Sequence, residues 1–311
     1  MRHSWRWVVA GGLSVLGLVG CGSPPGAPTQ ASDPPAATGP SAGSPSGSSA
    51  GSSSPAPTPS PTPSADPTKL KPGANHNNAA SAYVYSAKDV NRWLVEGEKA
   101  AGYPRNKIAF LTFDDGPTNS STPRVLDILK KEKVPATFFY IAGPKALGKA
   151  DKSLVRRTIA EGHAIDIHSY SHDYSELYPG GRGNAKQVVA DNEKALAAIR
   201  KVLGPDYAVH GYRYPGGHQS WKGLDEADAA MAKKDRYWIE WNALDGDGDA
   251  EAPASSEAAA ELVSSTLAES GNPGVAVVLL HDYKDNDLTI GALPTIIEDL
   301  RSDGYEFGVI D

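Results

Sequence analysis

From Ser81 to Asp311 the chain alternates two apolar patterns. Short runs of consecutive apolar, β-branched and aromatic residues read as buried strands, and longer stretches with apolar residues three and four apart read as amphipathic helices. Ser86 and Asp89 form a capping box for a helix through Trp93 and Leu94, expected to pack as a prelude on the main body. The strand beginning at Ile108 runs into Asp114 and Asp115 and stops at Gly116-Pro117. Pro123 to Lys133 then reads as a helix with Val125, Leu126, Ile128 and Leu129 as its stripe, and Ala136 to Ile141 as a strand. Ser153 to Glu161 is a helix closed by Gly162, followed by a strand from Ala164 to Ile167. Asn184 to Leu203 is the longest helix, stopped by Gly204-Pro205. Strands are expected at Ala208 to Tyr212, Tyr237 to Trp241, Gly274 to Leu280 and Glu306 to Ile310, and helices at Leu224 to Lys234, Pro253 to Ser270 and Ile290 to Ser302. Strict alternation predicts parallel strands with crossover helices, either closed as a barrel or left open.

Polar residues collect where these strands end. Asp114 and Asp115 follow the first, His168 and His172 the third, and Arg213 the strand ending at Tyr212. Asp245, Asp247 and Asp249 follow the strand ending at Trp241, and His281 and Asp282 follow Leu280. In a parallel barrel all of these ends share one face, so residues far apart in sequence converge. Adjacent carboxylates repel as anions, and a divalent cation between or beside them is one answer; a helix-capping turn is the other reading of Asp-Asp-Gly-Pro. His168 and His172 are four apart in His-Ser-Tyr-Ser-His. A helical turn there would aim both imidazoles the same way, and with Asp115 they make the donor set of a catalytic rather than a structural zinc site. Of the other histidines, His3 falls in the leader, His76 at the end of the tether, and His163, His210 and His218 read as caps, core or surface.

Composition adds the amino-terminal quarter. Arg2 and Arg6 precede an apolar run from Trp7 to Val19, the make-up of a secretory signal over residues 1–20 and too short for a comfortable membrane span. Cys21 is the only cysteine in 311 residues, so no intrachain disulfide is available to the domain. Residues 21–80 are a Ser-, Pro- and Gly-rich tether that lacks the apolar surface to fold, stiffer in its Pro-rich half. One α/β domain then fills residues 81–311. The formal charge of -7 and the lack of a basic stripe with interleaved aromatics argue against nucleic acid, and a monomer is expected.

These residues resemble known families at two places. Leu18-Val19-Gly20-Cys21 is similar to the lipobox of bacterial lipoproteins, which implies cleavage before Cys21, a lipid on its sulfur and a place on the outer face of the membrane. Thr112-Phe113-Asp114-Asp115-Gly116-Pro117, His168-Ser169-Tyr170-Ser171-His172, Arg213-Tyr214-Pro215-Gly216-Gly217 and Leu279-Leu280-His281-Asp282 resemble, in order, the motifs of polysaccharide deacetylases with a NodB-homology domain, carbohydrate esterase family four. The resemblance implies a distorted (β/α) barrel with fewer than eight strands that removes N-acetyl groups from glycans. It implies Asp115, His168 and His172 as ligands of zinc, or of a neighbour such as cobalt, which would polarise the acetyl carbonyl and activate water. It implies Asp114 as general base, Arg213 as the residue orienting it, and His281 as general acid, with a carboxylate partner of unknown position. The N–H of Tyr214 would join the oxyanion hole, and Trp241 and Leu279 would wall the acetyl pocket.

The sequence departs from the family pattern at two points. An acid beyond the motif-four Trp should hold Arg213, but Trp241 to Asp249 offers both Asp247 and Asp249, with Asp247 favoured by counting from Trp241. The alternating Asp-Gly run could instead bind calcium, although it lacks the spacing and terminal Glu of an EF-hand. Asp166 stands where a small residue is usual. The expected activity is N-deacetylation of cell-surface glycan, with N-acetylglucosamine of peptidoglycan first and chitooligosaccharide beside it. An O-acetyl esterase on xylan or wall sugars, and a glycan-binding lipoprotein without turnover, are the alternatives.

Overall fold

The computed structural model of the chain describes residues 65–311. The expected signal peptide, Cys21 and most of the tether lie outside the described residues. The element order is β1 (Val84–Tyr85), α1 (Ala87–Glu96), β2 (Ile108–Asp114), α2 (Thr122–Glu132), β3 (Thr137–Tyr140), α3 (Lys152–Ala160), β4 (Ala164–Ile167), α4 (Tyr174–Leu177) and α5 (Ala185–Leu203). It continues with β5 (Gly211–Tyr212), α6 (Asp225–Ala232), β6 (Tyr237–Trp238), β7 (Ala243–Leu244), α7 (Ser256–Glu269), β8 (Val275–His281), α8 (Asp287–Ser302), β9 (Glu306–Phe307) and β10 (Val309–Ile310).

The main sheet is parallel in the order β6-β5-β4-β3-β2-β8-β7, with β9 beside the start of β2 and β1 paired to β10 separately. It curls into a barrel that does not close, as the resemblance implied. Every residue of β2 is buried because both of its faces are covered, which is why the strand reads as an unbroken apolar run. Period two still sorts its side chains. Ala109, Leu111 and Phe113 join the larger core with Val125, Leu126 and Leu129 of α2, while Ile108 and Phe110 join a second cluster with Phe139, Val275, Val277 and Val90 and Trp93 of α1. Thr112 and Asp114 continue the face of Ile108 and Phe110, so the inner row turns polar at its carboxyl end.

Three expected strands are shorter than the patterns suggested. β5 and β6 are two residues each, and Gly308 separates β9 from β10. The chain between β6 and β7 leaves regular pairing and crosses the open edge. Ile239 N–H donates to Tyr212 O, and Asn242 N–H to Val277 O. The folded part also begins before Ser81. Asn75, His76 and Asn77 are buried, so His76 belongs to the domain and not to the tether, and it lies 3.3 Å from Asp311. Asn75 accounts for Asp166: its amide donates to Asp166 Oδ1 at 2.8 Å and to Ile310 O at 2.8 Å, tying the amino-terminal segment to β4 and β10. Burial first, and the charge of Asp311 second, push the Asp166 carboxyl up to about 7.

Candidate active site

Parallel register builds the site. Asp114 is paired with His281 across β2 and β8, so the two residues stand as neighbours on one rim. Below Asp114 lies Thr112, two residues back on the same face. Arg213, the next residue after β5, is buried and donates from Nη1 to both Asp114 Oδ1 (2.8 Å) and Thr112 Oγ1 (2.9 Å). Its guanidinium lies 4.3 Å from the Phe139 ring centroid and 5.5 Å from that of Trp241. Burial raises the Asp114 carboxyl above the ordinary range, and the Arg213 charge limits the rise.

Neither Asp247 nor Asp249 holds Arg213, contrary to the expectation from the fourth motif. The guanidinium instead donates from Nε to Ile239 O (3.0 Å) and from Nη2 to Glu240 O (3.3 Å). The physical reason is the broken edge: residues 239–242 leave the sheet and present carbonyls that strand pairing would have consumed.

Asp247 partners His281. Its Oδ1 lies 2.6 Å from His281 Nδ1, and its Oδ2 accepts the His281 backbone N–H (3.0 Å), Asn286 Nδ2 (2.6 Å) and Thr289 Oγ1 (2.6 Å). Burial opposes a charge on His281, but the hydrogen bond and charge of Asp247, with Asp114 and Asp115 behind, raise it to about 10. Burial alone would raise Asp247 too; the bond from His281 and its charge reverse this and hold the carboxylate below the ordinary range. Asp245, buried behind Asp247, is pushed upward by burial and by that charge. Asp249 is exposed at the rim, and its carboxylate makes no hydrogen bond among the described residues. Among the described residues Asp245, Asp247 and Asp249 do not gather into a metal-holding group, since Asp247 is committed to His281.

Asp115, His168 and His172 converge as the spacing suggested. One donor atom from each lies within 4.8 Å of the other two, with Asp115 Oδ1 3.6 Å from His168 Nε2 and 3.3 Å from His172 Nε2. The helical turn expected for the His168–His172 loop does not form: Ser169 and His172 have positive φ, at 99° and 46°, and so does Asp115 after β2, at 74°. Left-handed backbone at three non-glycine residues in one site is costly strain that a site rather than a fold requires. Asp191 on α5 holds the loop by accepting from Tyr170 N (2.6 Å) and Ser171 N (3.0 Å). His168 Nδ1 meets Arg213 O at 3.1 Å, which leaves Nε2 free to face Asp115. Burial, first of all, holds His168 well below the ordinary imidazole range, so it is a neutral donor.

These residues fit a divalent cation. Asp115 Oδ1 is buried and has no hydrogen-bond donor, and a lone buried carboxylate oxygen facing two imidazole nitrogens is satisfied by a shared metal. Two imidazoles and one carboxylate leave positions for water and substrate.

A cavity of about 600 Å³ opens over this group, lined by Asp114, Asp115, His168, His172, His281 and Asp247 and walled by Trp241, Leu244 and Leu279. Trp241 and Leu279 thus line the cavity that holds the trio. Tyr214 does not line it: its ring is buried and its hydroxyl donates to Asp228 Oδ1 at 2.8 Å. What it can offer is its N–H, which has no partner among the described residues. Sequence reasoning missed Asp191, Asn286 and Thr289. Asp191 left a readable sign, a carboxylate on the buried stripe of α5 beside Val188, Ala195 and Ile199.

The polysaccharide deacetylase family matches residues 101–233, which hold Asp114, Asp115, His168, His172 and Arg213 and stop short of Asp247 and His281. A peptidoglycan-N-acetylglucosamine deacetylase of Bacillus cereus is 31% identical over 203 residues, 65% of this chain and 68% of that protein. A bifunctional xylanase/deacetylase of Pseudobutyrivibrio xylanivorans is 32% identical over 202 residues, 65% of this chain and only 29% of that much longer protein. Among solved structures, a CE4 esterase of Streptococcus mutans superposes with a TM-score of 0.72 at 38% identity, covering 79% of this chain and 100% of that one.

Proposed function

Because the chain belongs to the polysaccharide deacetylase family, with a carbohydrate esterase family four fold, we propose that it hydrolyses N-acetyl groups of cell-wall glycan, N-acetylglucosamine of peptidoglycan first. The observation that carries this reading is the pairing of two proton-handling groups across one metal-binding trio: Asp114 backed by Arg213 and His281 backed by Asp247. Asp115, His168 and His172 would hold the cation, zinc by its donor set, and when bound it would polarise the acetyl carbonyl and acidify water.

The remaining chemistry belongs to side chains of this chain. Asp114 accepts the proton of the attacking water, and Arg213 fixes which carboxylate oxygen remains available, since Oδ1 is already occupied. Burial of Asp114 keeps it basic enough to take a proton. The N–H of Tyr214 is a donor for negative charge building on the carbonyl oxygen. His281, held protonated by Asp247, donates to the sugar nitrogen as the C–N bond breaks, giving free amine and acetate. Trp241 and Leu279 exclude water from around the methyl group. The export and anchoring expected from Arg2 to Cys21 would confine such an enzyme to the wall, which favours peptidoglycan over a soluble glycan.

The zinc-loaded protein is expected to raise the free-amine content of purified wall glycan, and chelation should abolish the rise. Free amines unchanged by the loaded protein on peptidoglycan and on chitooligosaccharide alike would refute the activity; release of acetate without new amines would point to O-acetyl esters.

A further inference from the structure

Resting on the deacetylase reading, we propose that Tyr174 is the floor of a second sugar-binding subsite, taking the pyranose next to the one being deacetylated. Among the described residues Val95 and Tyr174 are the most exposed large apolar side chains, and Tyr174, 45% exposed, lines the same cavity as the metal trio. An aromatic face open to a cavity offers a ligand apolar surface with a polar tip beside it.

The ring is exposed by construction. Asp173 caps α4 by accepting from Ser175 N (2.9 Å), which starts the helix at Tyr174 directly after the ligand His172. Behind it, Trp221 meets the ring edge-on at 5.2 Å, and Trp221 in turn stacks on Tyr178 at 4.1 Å and 15°. Trp221 Nε1 donates to Pro215 O at 2.8 Å, tying this stack to the loop that carries Arg213. The stack therefore fixes the position of Tyr174 while leaving part of its surface uncovered.

Position selects the ligand. The Tyr174 ring centroid is 5.4 Å from that of His172, which is 5.1 Å from that of His168, so Tyr174 is the next ring outward from the metal trio. The apolar wall for an acetyl methyl, Trp241 and Leu279, belongs to other elements of the cavity. Gly216 approaches the Tyr174 hydroxyl, and Gly217 and Ser220 line the same cavity, offering backbone and hydroxyl groups suited to sugar hydroxyls. The Tyr174 hydroxyl has no hydrogen bond among the described residues and is free for the same purpose. An amphipathic ligand with C–H groups on one face and hydroxyls at its edge matches this surface, which is the chemistry of a pyranose.

The test compares chain lengths. On zinc-loaded full-length protein, Tyr174→Ala should lower the ratio of kcat/KM for N-acetylated chitopentaose to that for the monosaccharide N-acetylglucosamine, which cannot reach the second subsite, by about tenfold, mostly through KM, the size expected for losing one ring of apolar contact. Tyr174→Phe should keep most of the ratio. A fall for both substrates by the same factor would mean that Tyr174 only supports His172, and an unchanged ratio would mean that no sugar rests there; either overturns the proposal. Calorimetric binding of chitopentaose separates this from a failure of the activity itself. If the wild-type protein releases no amine yet binds, loss of binding in Tyr174→Ala sustains the subsite, and equal binding, or none in either protein, overturns it.

Discussion

Asp114→Asn is expected to lower amine release from wall glycan by about a thousandfold while the protein still takes up one zinc ion. The substitution keeps the shape and leaves an oxygen for Arg213, but removes the basic lone pair that accepts the proton of water; loss of such a group costs on the order of 10² to 10⁴ in rate. The position is unforgiving because Asp114 is buried at the tip of β2 and its Oδ1 is already engaged at 2.8 Å. The three carboxylates next to Asp114 in the site are otherwise engaged. Asp115 belongs to the metal trio, Asp247 is committed to His281, and Asp282 is buried with Oδ2 accepting from Thr122 Oγ1 at 2.5 Å. Steady-state kinetics with elemental analysis of the same sample checks this. A variant retaining more than a tenth of the activity at full zinc would remove Asp114 from the reaction.

Asp247→Asn should cost about a hundredfold at neutral pH and move the alkaline limb of the pH-rate profile downward by about two units. The sign follows from His281. Its acid form is populated below its pKa, which stands raised at about 10 chiefly through the hydrogen bond and charge of Asp247 acting against burial. An amide in place of the carboxylate removes that support, the pKa falls, and the proton needed by the leaving amine is lost at lower pH. Asp114, Asp115 and Asp249 also face His281, with Tyr283 beside its ring, and all remain in the variant. Both forms are compared zinc-loaded, so the cation affects each alike and the difference reports Asp247. Profiles of kcat/KM across the alkaline range decide it; coincident limbs would mean that Asp247 does not set the ionisation of His281.

The strand-helix alternation and the polar strand tips were legible because they depend on period and punctuation, which are local. Ile108 to Asp114 announced both a buried strand and its exposed end. The pair His168 and His172 was legible by spacing, although the loop uses left-handed residues at Ser169 and His172 instead of a helical turn. What could not be read were contacts made across the sequence. The partner of Arg213 depends on residues 239–242 leaving the sheet, and two-residue strands such as β6 carry too little pattern to reveal that break. Asp247 was visible as an acid of the right region, but its choice of His281 over Arg213 depends on how β7 and β8 register. His76 reads as the end of a polar tether because its partner Asp311 is remote in sequence. Tyr174 had no periodic signature at all; only its exposure in a cavity singles it out.

On the proposed function, Asp115, His168 and His172 together hold one catalytic metal ion. Diffraction from zinc-soaked crystals at the zinc absorption edge tests it most directly. A single strong anomalous peak within coordinating distance of Asp115 Oδ1, His168 Nε2 and His172 Nε2, absent in His168→Ala, is the predicted result. A peak elsewhere on the protein, or none at saturating zinc with the three side chains turned apart, would contradict the account.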